Sequence, residues 1–342
     1  MRLQSAYGLK FIMLLCLLGV AFLINISLGS VDIPLEDIVK ILFGNDSIKG
    51  SWQDIILDFR LPKSITAILV GSGLSISGLL MQTLFRNPLA GPFVLGISSG
   101  ASLGVAILIL GTSTFAGAAA TLSISNIGIA LAASLGAFFV LSVVMLVARN
   151  IKNTMSILII GLMFGSFTAA IISILAYFSS AESLQQYVFW TFGSLGNLAW
   201  SEILILLFVT VLSLGLVITI IKPLNSLLLG ENYAVSLGVN LKKTRNLTMV
   251  VTGLLTGVIT AFSGPIAFIG LAVPHLTKLI IKTSDHKIIL PAVSIIGAII
   301  MLFSDTIAQL PTSEYTLPIN AVTSLFGAPV VIWLLIRKRN SY

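Results

Sequence analysis

The chain has 342 residues, of which 57% are hydrophobic and 9% charged, and its mean hydropathy is +1.08. This composition describes an all-α, polytopic membrane protein and leaves no soluble domain of useful size. The formal net charge of +7 does not indicate nucleic-acid binding, because the basic residues lie in short loops between apolar spans and not in an aromatic-flanked patch.

The apolar pattern predicts about ten membrane-spanning helices in a single transmembrane domain of residues 1–342. Because this number is even, both termini are expected on one side of the membrane. That side is predicted to be cytoplasmic, since it then carries all but four of the 19 lysines and arginines, as the positive-inside rule requires. The four left outside are Lys40, Lys49, Arg60 and Lys63. The predicted spans are 8–28, 65–85, 93–111, 127–148, 155–178, 202–221, 246–262, 267–282, 288–308 and 319–336.

The first span follows Arg2 and Lys10 and could therefore be a signal peptide, but no small-residue cleavage site follows it. We expect it to remain as a span. Residues 30–63 then form an external segment. Within it, residues 33–44 have a proline near the start, acidic residues in the first turn and a glycine after the end, which predicts a short surface helix.

The second and third spans are joined by a short, proline-rich turn of residues 86–92. Its two prolines stop one helix and start the next. The second span carries glycine and serine in place of charge. In the third, Gly96, Gly100 and Gly104 recur at four-residue spacing, which lets neighbouring backbones approach closely. We therefore predict that this part of the chain forms the wall of a pore within a large helix bundle.

A second long segment outside the bilayer, residues 222–246, lies on the cytoplasmic side in this topology. Its residues 229–239 form an amphipathic turn or two between Gly230 and Gly238. Such an element is a candidate docking site for another protein. The alternative is an interfacial helix that lies on lipid.

A weak internal repeat accompanies these segments. Gly91-Pro92-Phe93 precedes Gly96, and Gly264-Pro265-Ile266 precedes Gly270. The two matches fall on opposite sides of the membrane, as in the inverted repeats of transporters. Their spacing differs by one residue, and chance matching of such common residues is the alternative.

The sequence shows neither an energy source nor a catalytic centre. No G-x-x-x-x-G-K-[ST] motif occurs, so the chain does not hydrolyse nucleotide by a P-loop. For His275 and Asp305, a packed and hydrogen-bonded role is favoured over ion coupling. Residues 96–100 fit G-x-S-x-G, but helix packing explains their glycines better than a serine nucleophile paired with His275 does. We expect no metal or cofactor on this chain, since metal-ligand clusters are lacking.

Several motifs together resemble one known family over nearly the whole chain. They are Arg60-Leu61-Pro62-Lys63, Gly78-Leu79-Leu80-Met81-Gln82, Arg86-Asn87-Pro88-Leu89-Ala90-Gly91-Pro92 with Leu95-Gly96, Gly264-Pro265-Ile266-Ala267-Phe268-Ile269-Gly270-Leu271, Pro274-His275, Asp285-His286 and Phe326-Gly327-Ala328-Pro329-Val330. In this combination and order they resemble the FecCD-type permeases. Those proteins are the transmembrane subunits of binding-protein-dependent ABC importers for ferric siderophores, haem and cobalamin.

The resemblance implies a type II ABC importer permease in a bacterial cytoplasmic membrane. A second permease copy, identical or a paralogue, would complete a central pathway. Two ATPase subunits, which bind ATP and Mg, would dock on the cytoplasmic side. A periplasmic or lipoprotein binding protein would deliver the cargo, for which a ferric siderophore is preferred over haem or cobalamin. The chain itself would not be an enzyme. The alternative is a gradient-driven secondary transporter.

The resemblance also implies roles for individual residues. ATPase coupling falls on Gly230, Glu231, Ala234, Leu237 and Gly238. The cytoplasmic gate falls on Asn87, Leu89, Asn153, Thr154, Met155 and Ser156, and Gly161 and Gly165 would line the pathway and face the second copy. Docking of the binding protein falls on Arg60 and Lys63, with Gln309 at a position where a third basic residue is expected. The alternative for Arg60 and Lys63 is interfacial anchoring at a helix start.

Overall fold

The computed structural model describes residues 2–44, 50–114, 125–149, 151, 154–310 and 315–339. In these ranges the chain is helical and contains no β-strand, as the predicted all-α class requires. The helices are α1 (Arg2–Ser27), α2 (Leu35–Leu42), α3 (Gly50–Asp54), α4 (Leu61–Leu84), α5 (Ile97–Thr114), α6 (Asn126–Ala148), α7 (Thr154–Phe178), α8 (Ala181–Phe192), α9 (Trp200–Leu227), α10 (Glu231–Ser236), α11 (Leu241–Ser263), α12 (Ile269–Ile281), α13 (His286–Ala308) and α14 (Ile319–Arg339). A π-helical turn (Ile55–Arg60) precedes α4, and a 3₁₀ turn (Pro92–Leu95) precedes α5.

Within the described residues, seven helical segments are long and apolar enough to cross a membrane, by length and composition. They are α1, α4 with the preceding residues 50–60, α6, α7, α9, α11 and α13. Three shorter apolar helices, in α5, α12 and α14, occupy the remaining predicted positions. The ten predicted spans therefore correspond, in order, to ten apolar helices.

We name the two ends of the bundle by the helices that reach them. The inner face is reached by the C-terminal ends of α4 and α9, and the outer face by the C-terminal ends of α1 and α13. In the predicted topology the inner face is the cytoplasmic one.

Two of the short helices, α5 and α12, begin in the middle of the bundle. A Cβ atom on Gly270, at the start of α12, would lie 2.8 Å from the carbonyl oxygen of Leu74 and 2.9 Å from Cδ of Pro92. Leu74 lies midway along α4, so the chain has returned from the inner face to this depth before α5 begins. The two Gly-Pro segments of the weak repeat thus meet inside the bundle, one from each face. An inverted repeat produces this arrangement.

The helix α4 lies at the centre of the chain. Nearly all of its residues are buried, and it packs against α9, α11, α12 and α13. Glycine permits the close approach, because a Cβ atom on Gly78 would overlap with the backbone of Gly270, and one on Gly71 with that of Gly297 in α13. The prediction that this helix forms a pore wall is therefore wrong, since helices of the same chain already cover it.

The predicted pathway role is wrong for Gly161 in α7, which is buried against its own chain, and stays a prediction for Gly165, which is partly exposed. A Cβ atom on Gly161 would overlap with the carbonyl oxygen of Val94, and one on Gly165 would lie 3.4 Å from Oγ of Ser99. Both glycines thus face the chain's own 3₁₀ turn and α5, where their small size allows contact. The exposed face of α7 carries large apolar side chains: Met155, Ile159, Met163 and Phe167.

The outer segment after α1 contains the predicted short helix. It is α2, which follows Pro34 and has Glu36 and Asp37 in its first turn. Its buried side joins a small cluster of isoleucines: Ile26, Ile33, Ile38, Ile41 and Ile56. Burial of this cluster holds the segment against the outer end of the bundle.

Arg60, a predicted docking residue, has partners inside the chain. The residue is 9% exposed, and its Nη1 donates to the carbonyl oxygens of Ile26 at 2.8 Å and Ser27 at 3.0 Å. Its Nη2 donates to the carbonyl oxygen of Val31. A helix leaves its last carbonyl groups without intrahelical donors, so Arg60 supplies them for α1 and ties α1 to the start of α4.

Lys63 also has an internal partner. Its Nζ lies 3.1 Å from Oδ1 of Asp305, whose side chain is 3% exposed. Oδ2 of Asp305 accepts hydrogen bonds from Asn25 at 2.9 Å and Gln309 at 2.7 Å. The predicted structural role of Asp305, a satisfied carboxylate at a helix end, is confirmed. Docking by Arg60 and Lys63 stays a prediction, now for side chains that already have partners.

We expect Arg60→Ala to destabilise the protein, because two carbonyl groups at the end of α1 and that of Val31 after it lose a charged donor. Hydrogen bonds to charged groups contribute about 1.5–3 kcal/mol each, so the loss should be at least of that order. The measurement is the midpoint temperature of aggregation of the purified protein in detergent. Lys40→Ala is the matched control, since Lys40 forms exposed ion pairs with Glu36 and Asp37 that contribute about 0.2–1 kcal/mol each. Equal midpoints for the two variants would show that Arg60 does not hold α1.

Candidate coupling and gate site

The coupling segment, residues 228–240, projects at the inner face between α9 and α11. Its short helix α10 lies between Gly230, with φ +118°, and Gly238, with φ +81°. A side chain strains the backbone in this left-handed region by roughly 1–2 kcal/mol. The two predicted glycines therefore set the turns that enter and leave α10. Ala234, between them, is fully buried and packs α10 against the chain.

The outward side of the coupling segment is apolar. Leu237, a predicted coupling residue, is 57% exposed. The exposed large apolar side chains of the segment are Leu229, Tyr233, Val235 and Leu237. Apolar groups that cluster on a surface outside the membrane spans indicate contact with a protein or a membrane.

Glu231 connects the coupling segment to α7. Oγ1 of Thr154 donates a hydrogen bond of 2.6 Å to Oε1 of Glu231. Thr154 is the first residue of α7 and one of the predicted gate residues. The structure thus places a predicted coupling residue in direct contact with a predicted gate residue.

A second contact, which was not predicted, joins the same regions. Arg245 in α11 donates from Nη1 to the carbonyl oxygen of Ile151 at 2.9 Å and from Nη2 to that of Ala148 at 3.0 Å. Ala148 ends α6, where carbonyl groups lack intrahelical donors. The connection between α6 and α7 is therefore held at its first part by Arg245 and at its end by Glu231.

The turn between α4 and α5, predicted as a gate, also adjoins the coupling segment. Oδ1 of Asn87 accepts a hydrogen bond of 2.9 Å from the N–H of Leu89, so Asn87 shapes the turn, and Leu89 is 40% exposed. Arg86 has φ +47°. Its Nη1 lies 3.6 Å from the position of a Cβ atom on Gly230. The turn and the coupling segment are therefore neighbours at the inner face.

A buried polar cluster that was not predicted joins α4, α9 and α13. His286 is 1% exposed; its Nε2 lies 2.9 Å from Oγ1 of Thr83, and its Nδ1 lies 2.7 Å from Oδ1 of Asn225. Nδ2 of Asn225 donates to Oδ1 of Asp285 at 2.7 Å. The cluster connects the end of α9, which leads into the coupling segment, to the end of α4, which leads into the gate turn.

The one feature of the sequence that could have indicated this cluster is the adjacent pair Asp285-His286. Asp285 caps α13 by accepting the N–H of Lys287 at 3.0 Å. This hydrogen bond is the main reason that the pKa of Asp285 lies below its ordinary value. The carboxylate therefore stays charged in this position and serves both α13 and Asn225.

The remaining predicted gate residues lie at the start of α7 or outside the described part of the chain. Met155 is 49% exposed, and Ser156 is partly buried. Asn153 lies outside the described residues. The structure therefore joins the coupling segment to the start of α7 through Thr154 and places Arg86 of the gate turn beside Gly230.

The G-x-S-x-G stretch has a packing role, as predicted. Gly96 precedes α5 with φ +69°. A Cβ atom on Gly100 would lie 2.6 Å from the carbonyl oxygen of Gly136 in α6. Close packing of α5 on α6 thus requires these glycines.

Comparisons with known proteins agree with these observations. The model of the FecCD transport family matches residues 17–337. The vitamin B12 import system permease protein BtuC of Klebsiella pneumoniae is 38% identical over 296 residues, which cover 85% of this chain and 86% of that protein. The protein of the same name from Salmonella typhi is 36% identical over 300 residues, with coverages of 86% and 87%.

Solved structures share the fold. A metal-chelate type ABC transporter in an inward-facing conformation superposes with a TM-score of 0.83 at 29% identity, over 96% of this chain and 99% of that chain. PsaBC from Streptococcus pneumoniae in complex with Fab superposes with a TM-score of 0.54 at 16% identity and shows a related fold. The family match spans nearly every apolar helix described above, including the coupling segment and the gate turn. The chain belongs to the FecCD transport family.

Proposed function

We propose that the chain is the permease subunit of a bacterial ABC importer, and that it moves an intact metal chelate inward along a pathway formed with a second, identical copy. The observation that carries the proposal is the hydrogen bond between the coupling segment and α7, together with the position of Arg86 of the gate turn beside Gly230. In a chain of this family, such contacts provide a route from an ATPase to a gate. The sequence contains no P-loop, so a partner would supply the energy.

The proposed assembly has partners at both faces. Two ATPases, which bind ATP and Mg, dock on the exposed apolar side of the coupling segment at the inner face, and a binding protein delivers cargo at the outer face. The inner face and both termini are cytoplasmic, which agrees with the excess of lysine and arginine there. The permease binds no cofactor of its own.

The proposed coupling mechanism is a displacement of α10 when the ATPases close. Glu231 and Arg245 transmit the displacement to the connection between α6 and α7. Arg86, beside Gly230, and the cluster of Thr83, Asn225 and His286 transmit it to the gate turn. Because several buried or charged groups join these elements, they move together instead of bending separately.

The proposed cargo class is that of metal chelates. The relatives from Klebsiella pneumoniae and Salmonella typhi are named as vitamin B12 import permeases, and the solved neighbour is described as a metal-chelate type transporter. Cobalamin is therefore the first cargo to test, followed by ferric siderophores and haem. Nothing in the comparisons favours a gradient-driven secondary transporter.

Uptake by proteoliposomes tests this function. We expect vesicles with the permease, its ATPase and its binding protein to accumulate cyanocobalamin, a ferric hydroxamate or haem only when ATP is present on the ATPase side. Vesicles with ATPase lacking its catalytic glutamate are the control. Accumulation that a proton or sodium gradient drives without ATP would overturn the proposal.

We expect Glu231→Ala and Thr154→Val each to lower the number of chelates imported per ATP hydrolysed several-fold, because the contact between α10 and α7 is lost. The double variant should be no worse than either single one, since both remove the same hydrogen bond. Glu182→Ala is the control, because Glu182 lies in the first turn of α8, away from the coupling segment. Strictly additive losses would show that Glu231 and Thr154 act independently.

We expect Leu89→Cys to form a disulfide with the same residue of the second copy in at least one nucleotide state. The gate turn is too short for a lipid-facing loop, and its exposed Leu89 closes the pathway in our proposal. The background is Cys16→Ser, which removes the single native cysteine. Ile12→Cys, exposed on α1, is the control. If Leu89→Cys crosslinks in no nucleotide state, the turn is not a gate.

A further inference from the structure

A cavity lies where the two short apolar helices α5 and α12 begin, in the middle of the bundle. Its volume is about 310 Å³, near the lower end of the range for small-molecule sites. The 3₁₀ turn before α5 lines one side with Pro92 and Phe93, and the segment before α12 lines the other with Pro265 and Phe268. Phe93 is 49% exposed and marks the side on which the cavity reaches the chain surface.

Thr256 of α11 lines this cavity and carries a hydroxyl group. The residue is 1% exposed, and its Oγ1 finds no hydrogen-bond partner among the described residues. A buried hydroxyl without a partner costs about 1–3 kcal/mol, so a ligand atom that accepts a hydrogen bond from Thr256 would remove this cost.

Asn320 of α14 adds two further donors. Its Oδ1 accepts the N–H of Ala267 at 3.1 Å, in the segment before α12. This contact fixes the orientation of the amide, because the oxygen is the atom that faces Ala267. Asn320 lines the cavity, so the two N–H groups of its Nδ2 are available to donate hydrogen bonds to a ligand there.

The start of α5 supplies backbone donors. Ser98 in the first turn of α5 lines the cavity, and the first amides of an α-helix have no intrahelical acceptor. The helix dipole adds a partial positive charge at this end. Among the described residues that line the cavity, none is charged. Thr256, Asn320 and the start of α5 thus place groups that can donate hydrogen bonds at the wall of this cavity, at mid-membrane depth.

From this set of donors, and resting on the proposed function, we propose that the cavity is a transient subsite for an oxygen acceptor on the cargo: a carboxylate or an amide carbonyl on the periphery of the chelate. The volume admits such a side arm but not a whole macrocycle. Half-helix starts that point at oxygen groups near the bilayer midplane serve this purpose in other transporters. Thr256, Asn320 and the start of α5 would hold the arm while the chelate passes.

Two variants test the subsite in the fully assembled, reconstituted importer. Thr256→Val keeps the side-chain volume and removes the hydroxyl. Asn320→Asp keeps the oxygen that accepts from Ala267 but replaces the N–H donors by a second acceptor. Thr252→Val is the matched control, because Thr252 lies one turn away on α11, is fully buried and has an Oγ1 without a partner among the described residues, but does not line the cavity.

The cargo is cyanocobalamin or whichever chelate the wild-type importer carries. We expect kcat/KM for its uptake to fall about ten-fold in Thr256→Val, because this variant loses one hydrogen bond to an acceptor group. It should fall at least as far in Asn320→Asp. Thr252→Val should match the wild type, and ATP hydrolysis without cargo should be unchanged in all three. Equal uptake by Thr256→Val, Asn320→Asp and Thr252→Val would overturn the subsite while leaving the proposed function intact; absence of uptake by the wild type would instead overturn the function.

A labelling experiment separates cargo from a small inorganic anion as the occupant. Ser98→Cys in a Cys16→Ser background places a thiol at the cavity wall. We expect the chelate, trapped in the importer by vanadate, to slow its modification by a small maleimide at least five-fold, and Thr256→Val to abolish most of this protection. Equal protection by chloride or phosphate without a chelate would make the cavity an inorganic anion site and would overturn the proposal.

Discussion

Close contact between backbones around α4 is the constraint on which the rest of this structure depends. Lipid tails are as apolar as leucine, so helices inside a membrane gain little from hiding apolar surface and associate through shape. Gly71 and Gly78 remove the side chains that would keep α13 and α12 away from α4. Other helices cover α4, so it forms the packed centre of the chain. In the proposed mechanism the elements that move lie at its inner end: the gate turn, the start of α7 and the coupling segment.

Two groups of charged and amide side chains lie at the two ends of this centre. At the outer end, Arg60 and the pair of Lys63 and Asp305 connect α1, α4 and α13. At the inner end, His286 and Asn225 connect α4, α9 and α13, while Arg245 and Glu231 hold the connection between α6 and α7. The first group fastens helices that are already packed, whereas the second joins elements on both sides of the predicted gate. The same kinds of hydrogen bond therefore stabilise the outer end and, in the proposed mechanism, couple motion at the inner end.

Features that depend on local sequence were predictable, and those that depend on which neighbour covers a surface were not. The ten apolar helices and α2 follow from hydropathy, proline and glycine positions that each act within a few residues. The spacing of Gly161 and Gly165 correctly indicates a face of α7 with small residues. Spacing along one helix cannot tell whether that face packs against the same chain or a second copy. The contact of His286 with Thr83 joins residues 203 positions apart, and no pattern in the sequence pairs them. The role of Arg60 was missed for a similar reason, because its carbonyl partners lie at the end of another helix.

The short length of α12 has a consequence for how the protein enters the membrane. Its 13 residues extend about 20 Å, roughly two thirds of a hydrocarbon core of about 30 Å. Alone in lipid, the extended segment before it would expose backbone N–H and C=O groups that nothing could satisfy. In the folded protein α4, α14 and the turn before α5 lie beside this segment, and α14 is synthesised after α12. The C-terminal part of the chain must therefore remain near the insertion machinery until α14 emerges. The last helices of this protein then enter the membrane together and not one after another.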